Sequence, residues 1–217
     1  MTMSKRPTTT ELMIARTLTD ALAQARARGL EPALAGSLAA QMLGAGTGLS
    51  EMVELLVAQE PPGVRSSPGG AATANADDTS DRSDVRHGGD GDRDAGGDGG
   101  DRSDETGTAT LCWLAEVGPW ADLRRNARQA AVCATDLPVA VVPAKWLIAL
   151  LMVSRRSDAV RAAVALLATG SVDVDGTREV VRSHLGPYAV DDFDALLQEA
   201  EWQAMCERYR AGDTPIH

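Results

Sequence analysis

The 217-residue sequence predicts an all-α fold in three parts. These are a short three-helix N-terminal segment (residues 1–60), a long disordered acidic Gly/Asp linker (61–108) and a C-terminal bundle of five to six helices (109–217). Three observations predict it. Apolar residues recur at three- and four-residue intervals on both sides of the middle, which is the helical period. Gly and Pro punctuate those runs at intervals that suit short helices. The middle has almost nothing to bury: between Pro61 and Thr108, Val64 and Val85 are the only large apolar side chains. That is too little to offset the ~1–2 kcal/mol of backbone entropy of each ordered residue.

Charge follows the same division. Residues 1–60 carry −1, residues 61–108 carry −6 and residues 109–217 carry −3, which together give the formal net charge of −10. The acidity belongs mostly to the linker, and the flanking blocks lack the basic surplus of a general nucleic-acid or anionic-membrane binder. Arg greatly outnumbers Lys, with Lys5 and Lys145 the only lysines, as in the coding bias of a GC-rich bacterial genome.

In the first block, Thr8 and Glu11 form a capping box ahead of Ile14, Leu18, Leu22 and Ala25, one face of a helix that Gly29 ends. Pro32 suits the first turn of a second helix with Leu34, Leu38 and Met42 on one stripe. Ser50 then caps a third, Glu51–Gln59, carrying Met52, Val53, Leu55 and Leu56. Three short helices invite a helix-turn-helix reading. From Glu31 to Glu60, however, the only charged residues are Glu31, Glu51, Glu54 and Glu60, so a phosphate backbone meets repulsion there. In the linker, Asp90, Asp92 and Asp94 have the spacing of a calcium loop, and Gly96–Asp101 resembles a calcium-binding nonapeptide. The first lacks its glycine and bidentate glutamate and the second its stacked copies, so both are chance matches.

After Thr108, Leu111, Trp113, Leu114 and Val117 restore the apolar pattern up to Gly118-Pro119. Pro119 opens a helix that buries Trp120, Leu123, Ala127, Ala130 and Ala131 and places Arg124, Arg125 and Arg128 on its outer side. Val139–Val142 is a short extended piece. Ala144–Val153 is apolar on nearly all sides, the pattern of a helix enclosed by its neighbours. A helix with Val160, Val164 and Leu167 facing inward comes next, then one capped by Asp175 with Val180, Val181 and Leu185. The last helix, capped by Asp191 or Asp192, carries two apolar rows. Phe193, Leu196, Leu197, Ala200 and Ala204 form one, and Trp202, Met205, Cys206 and Tyr209 the other. A second row exceeds what one packing surface needs, which makes Trp202, Met205 and Tyr209 candidate partner-binding residues.

Chemistry is sparse. His87 and His217 fall in the linker and at the last position, leaving His184 as the one histidine in a helical segment. There is no phosphate-binding Gly-x-x-x-x-Gly-Lys-Ser/Thr, no Cys-x-x-Cys and no His-Glu-x-x-His, so the sequence points to no cofactor, no metal and no enzyme. Cys112, Cys133 and Cys206 are odd in number and set in apolar helical surroundings, which predicts reduced, buried thiols. No signal peptide is evident at Met1–Glu11, and Val139–Val153 falls short of the ~20 residues that span a bilayer. The expectation is a cytoplasmic, non-enzymatic interaction or adaptor subunit that binds a protein partner or itself, with no membrane and no small-molecule substrate. The alternative is a subunit of a nucleic-acid-bound complex using an Arg-rich face of the C-terminal domain. Arg124, Arg125, Arg128, Arg155 and Arg156 would lie on that face, where residues 109–187 hold nine Lys/Arg against seven Asp/Glu.

Overall fold

The structure, a computed structural model, describes residues 8–46, 52–59, 72–73, 109–133 and 137–211. Helix α1 (Thr9–Ala27) starts where the capping box places it. The Thr8 hydroxyl accepts from the Glu11 N–H, and the Glu11 carboxylate accepts from the Thr8 N–H. Ile14, Ala21, Leu22 and Ala25 form its buried stripe.

Beyond α1 the chain departs from the all-α expectation. Ala33–Ala35 is a strand, β1, which runs at Gly36 straight into the short helix α2 (Gly36–Met42). The segment read as a third helix is strand β2 (Met52–Val57). Leu111, Trp113 and Leu114 belong to strand β4 (Thr110–Ala115), against which the two-residue β3 (Ala72–Thr73) pairs. Two further short strands, β5 (Val132–Cys133) and β6 (Ala140–Val141), complete a mixed sheet of order β3-β4-β2-β1-β6-β5. Strand β2 is antiparallel to β1 and parallel to β4, with Glu54 opposite Ala35 on one side and Cys112 on the other.

The physical reason for the misreading lies in where β2 sits. Val53, Glu54, Leu55, Leu56 and Val57 are all buried, because helices α1 and α2 pack onto this strand while β1 and β4 flank it. A strand covered on both faces shows no polar–apolar alternation, and a short apolar run without alternation has no period that separates it from a helix. Each of these fully buried aliphatic side chains contributes about 1.5–3 kcal/mol relative to exposure. Tertiary burial therefore outweighs the modest helix preference of Met, Glu and Leu.

The remaining described elements are helical. A single 3₁₀ turn, Gly118–Trp120, leads into α3 (Ala121–Gln129). Then come α4 (Ala144–Ser154), α5 (Ser157–Ala168), α6 (Val174–Leu185) and α7 (Tyr188–Arg210). Helix α4 buries every residue from Leu147 to Leu151 and packs against α2, α3, α5 and α6. Residues from both sides of the 61–108 stretch thus meet in adjacent strands and share one hydrophobic core running from Ile14 to Ala200, in place of a three-helix segment and a bundle. The acidic linker, apart from Ala72–Thr73, lies outside the described residues, as do His87 and His217. Among the described residues no helix is long and apolar enough to cross a membrane.

Candidate functional site

The junction of β1 with α2 brings a backbone turn against the middle of the sheet. Gly36 has φ +69°, a left-handed value that side chains disfavour, and a Cβ there would lie 1.6 Å from the Glu54 carboxylate oxygen. Gly36 thus satisfies two demands at once, the turn and the close approach of Glu54. That carboxylate is 7% exposed on the central strand.

The α4–α5 corner delivers its counter-charge. Arg155 takes a left-handed conformation, φ 52°, and Arg156 comes next as the residue preceding α5. The Arg156 guanidinium donates from Nη1 to Glu54 Oε1 at 3.2 Å and from Nε to Asp158 Oδ1 at 3.0 Å, and its Nη2 donates to Asp158 Oδ2. Two parallel donors to one carboxylate give the fork geometry in which arginine pairs most strongly. The Ser37 hydroxyl, one residue into α2, donates to Asp158 Oδ2 at 3.4 Å. The Met52 sulfur, two residues before Glu54 and therefore on the same face of β2, touches Arg156 as well.

These contacts shift the groups unequally. Burial pushes Glu54 above the usual carboxylate range; Arg156 opposes that shift, and the negative charge of Asp158 adds to it. Asp158, more open to water, is held below its ordinary value chiefly by the hydrogen bonds from Arg156. The same bonds raise Arg156 further, against the effect of its own burial.

Beside this cluster lies a cavity of about 140 Å³ whose wall includes Glu54, Arg156, Arg124, Trp120, Leu150 and Leu151. Arg124 does not lie on the outer side of α3 as its spacing predicts. It is 9% exposed, and its Nη1 donates to the carbonyls of Ala115 at 2.9 Å and Val117 at 3.2 Å, where β4 ends. Backbone carbonyls at the end of a strand, even where one such as Ala115 also accepts from the Val117 N–H, draw a long cationic side chain inward, which a helical-wheel argument does not register. Burial lowers Arg124 from its ordinary value.

The other arginines of the predicted Arg-rich face are dispersed. Arg125 bridges Asp122 at 2.9 Å and Glu116 at 3.6 Å, and Arg128 bridges Glu116 at 2.5 Å. Arg155 is exposed at the corner, and Arg156 is committed to the buried cluster. His184 stacks edge-on against Trp146 with centroids 5.4 Å apart. Among the described residues no group of three or more His, Cys, Asp or Glu gathers in a way that would hold a metal ion.

The three candidate partner-binding residues sit together. Trp202 is 59% exposed, Met205 48% and Tyr209 74%. At i, i+3 and i+7 they share one side of α7, and at 100° per residue that side is turned about 180° from the buried Phe193 and Ala200. Past Ala200 helix α7 has no buried residue. Sequence reasoning missed Glu54, and Ser37 as the hydroxyl donor to Asp158. The available signal was a single carboxylate enclosed by Met52, Val53, Leu55, Leu56 and Val57. Comparison with protein-family models, curated proteins and solved structures finds no match to this chain.

Proposed function

We propose that this chain is a cytoplasmic, non-enzymatic interaction subunit whose α7 docks a partner helix. The observation that carries the reading is the row Trp202, Met205 and Tyr209, three large apolar side chains turned away from the core at helical spacing. Leaving such side chains in water forgoes burial worth about 1.5–3 kcal/mol each, which a partner's apolar face recovers. Helix α7 also carries Asp191, Asp192, Asp194, Glu199, Glu201 and Glu207 against Arg208 and Arg210. Its charge therefore favours an amphipathic helix flanked by Lys and Arg over a second copy of itself.

The non-enzymatic part rests on commitment of the charged groups. Glu54 and Asp158 both share Arg156, and His184 is engaged with Trp146 on another element. The compartment rests on Cys112, Cys133 and Cys206, none of which is joined in a disulfide. The nucleic-acid reading draws less support, since Arg128 and Arg156 spend their guanidiniums on internal carboxylates and Arg124 is buried.

The test places a photo-crosslinking residue at position 205 and, as a control, at Arg161, which is exposed on α5. The reading expects one protein captured at 205 and not at 161, with Lys and Arg beside the crosslinked apolar helix. Equal capture at both positions, crosslinking to a second copy of this chain, or a captured face without basic residues overturns it.

A further inference from the structure

Of the charged residues on the cavity wall, Arg124 differs from the other two in its partners. Glu54 and Arg156 pair with each other at 3.2 Å, whereas Arg124 pairs with no carboxylate among the described residues. Its Nη1 is spent on two backbone carbonyls, and Nε and Nη2 have no acceptor among the described residues. A guanidinium held in a mostly buried position with donors not taken up by protein groups is well placed to receive an acceptor from a bound molecule. Arg124 lines a cavity of about 140 Å³, room for about five water-sized groups.

The walls specify the rest. Besides Gly36, Glu54, Ser154 and Arg156, the cavity shares with Arg124 a lining of Leu114, Trp120, Leu150, Leu151 and Val153. These are apolar surfaces that ordered water fills poorly and a short hydrocarbon fills well. One guanidinium edge matches a carboxylate through two parallel N–H donors. A phosphate dianion asks for more donors than this wall offers and brings a second negative charge toward Glu54.

We propose that this cavity is a binding site for a small branched aliphatic monocarboxylate, its carboxylate on Arg124 and its hydrocarbon against the leucines of α4. The site is separate from the α7 row and does not depend on the partner-docking reading.

Isothermal titration of the full chain with isobutyrate, isobutyramide and inorganic phosphate tests the proposal. Isobutyrate is expected to bind saturably, the neutral amide at least about ten-fold more weakly, and phosphate more weakly than isobutyrate. Arg124→Gln should abolish the preference for acid over amide. Because that change also releases the Ala115 and Val117 carbonyls, Val153→Phe serves as a second variant. It fills the cavity while keeping the charge, and should block both ligands. No saturable binding of isobutyrate, equal affinity for acid and amide in the wild type, tighter binding of phosphate, or undiminished binding by Val153→Phe each overturns it.

Discussion

Two regions of this molecule set side chains against the solvent preference of their chemistry, in opposite senses. At the meeting of β2 with the α4–α5 corner, charged groups lie inside: Glu54, Arg124 and Arg156 line one cavity. On the last turns of α7, Trp202, Met205 and Tyr209 lie outside. The inner departure is expensive for folding, so it persists only with compensation. Arg156 bridges two carboxylates, Ser37 supports Asp158, and Gly36 gives Glu54 its space. The outer departure costs the fold almost nothing, since these side chains are as wet in the unfolded chain as in the native one. Inner groups are therefore constrained by stability, whereas the outer row is free to be set by what binds it.

Substitutions should separate the two regions by the size of their effect on folding. The largest loss is expected from Arg156→Met, which leaves Glu54 and Asp158 facing each other without their shared cation. About 3 kcal/mol is expected, at the lower end for a broken buried pair because Arg156 keeps some contact with water. Urea unfolding measures it, and a change below about 1 kcal/mol would reduce the cluster to an ordinary surface pairing.

Gly36→Ala should rank second at about 2 kcal/mol. Its φ of +69° alone costs a side chain about 1–2 kcal/mol, and the new methyl group must also displace the Glu54 carboxylate. The same denaturation curve reads it, and a neutral result would mean that Glu54 has room to move.

A smaller effect should appear on acidification. Burial raises Glu54 in the folded state above its unfolded value near 4.5, so the folded protein holds more protons in that window. The penalty for the buried carboxylate is complete above the folded value and fades as pH falls toward 4.5. Asp158 has the opposite sign: it adds stability above its unfolded value of 3.8, lost only as pH falls through its lowered folded value. Unfolding measured at neutral and mildly acidic pH should therefore show a gain in the wild type that Glu54→Gln lacks. An identical pH dependence in the two proteins would place the raised group elsewhere.

Much of the helical part was legible. The Thr8–Glu11 capping box, the enclosed run Leu147–Leu151, and the Phe193–Ala200 row beneath α7 all emerge from spacing and punctuation. The cap of α6 falls at Asp173 in place of Asp175, a two-residue slip between neighbouring aspartates that offer the same oxygen. Val160, expected inward on α5, is exposed, and the stripe is carried by Ala159, Ala162 and Ala163 beside Val164 and Leu167. Small alanines mark a close helix contact as firmly as large residues do, and hydrophobic size alone hides them.

Most of the sheet was not legible, for reasons that differ by strand. Ala33–Ala35 is too short to show any period, Met52–Val57 is buried on both faces, and only Ala140–Val141 falls in a segment read as extended, Val139–Val142. Of the site, the outward row was readable because its residues and spacing are local. The Glu54–Arg156–Asp158 cluster joins positions about a hundred residues apart, and Arg124 was assigned to water by a wheel that ignores the end of β4.

The central claim is that α7 offers its apolar row to a basic partner helix. The direct measurement is the affinity of the chain crosslinked at position 205 for wild type and for Trp202→Ser/Tyr209→Ser, across a salt series, with unfolding recorded in parallel. Affinity should fall at least about a hundred-fold in the double variant while stability moves by no more than about 0.5 kcal/mol, and wild-type binding should weaken as salt rises. Undiminished affinity in the double variant, or a loss of binding matched by a loss of folding, would contradict it.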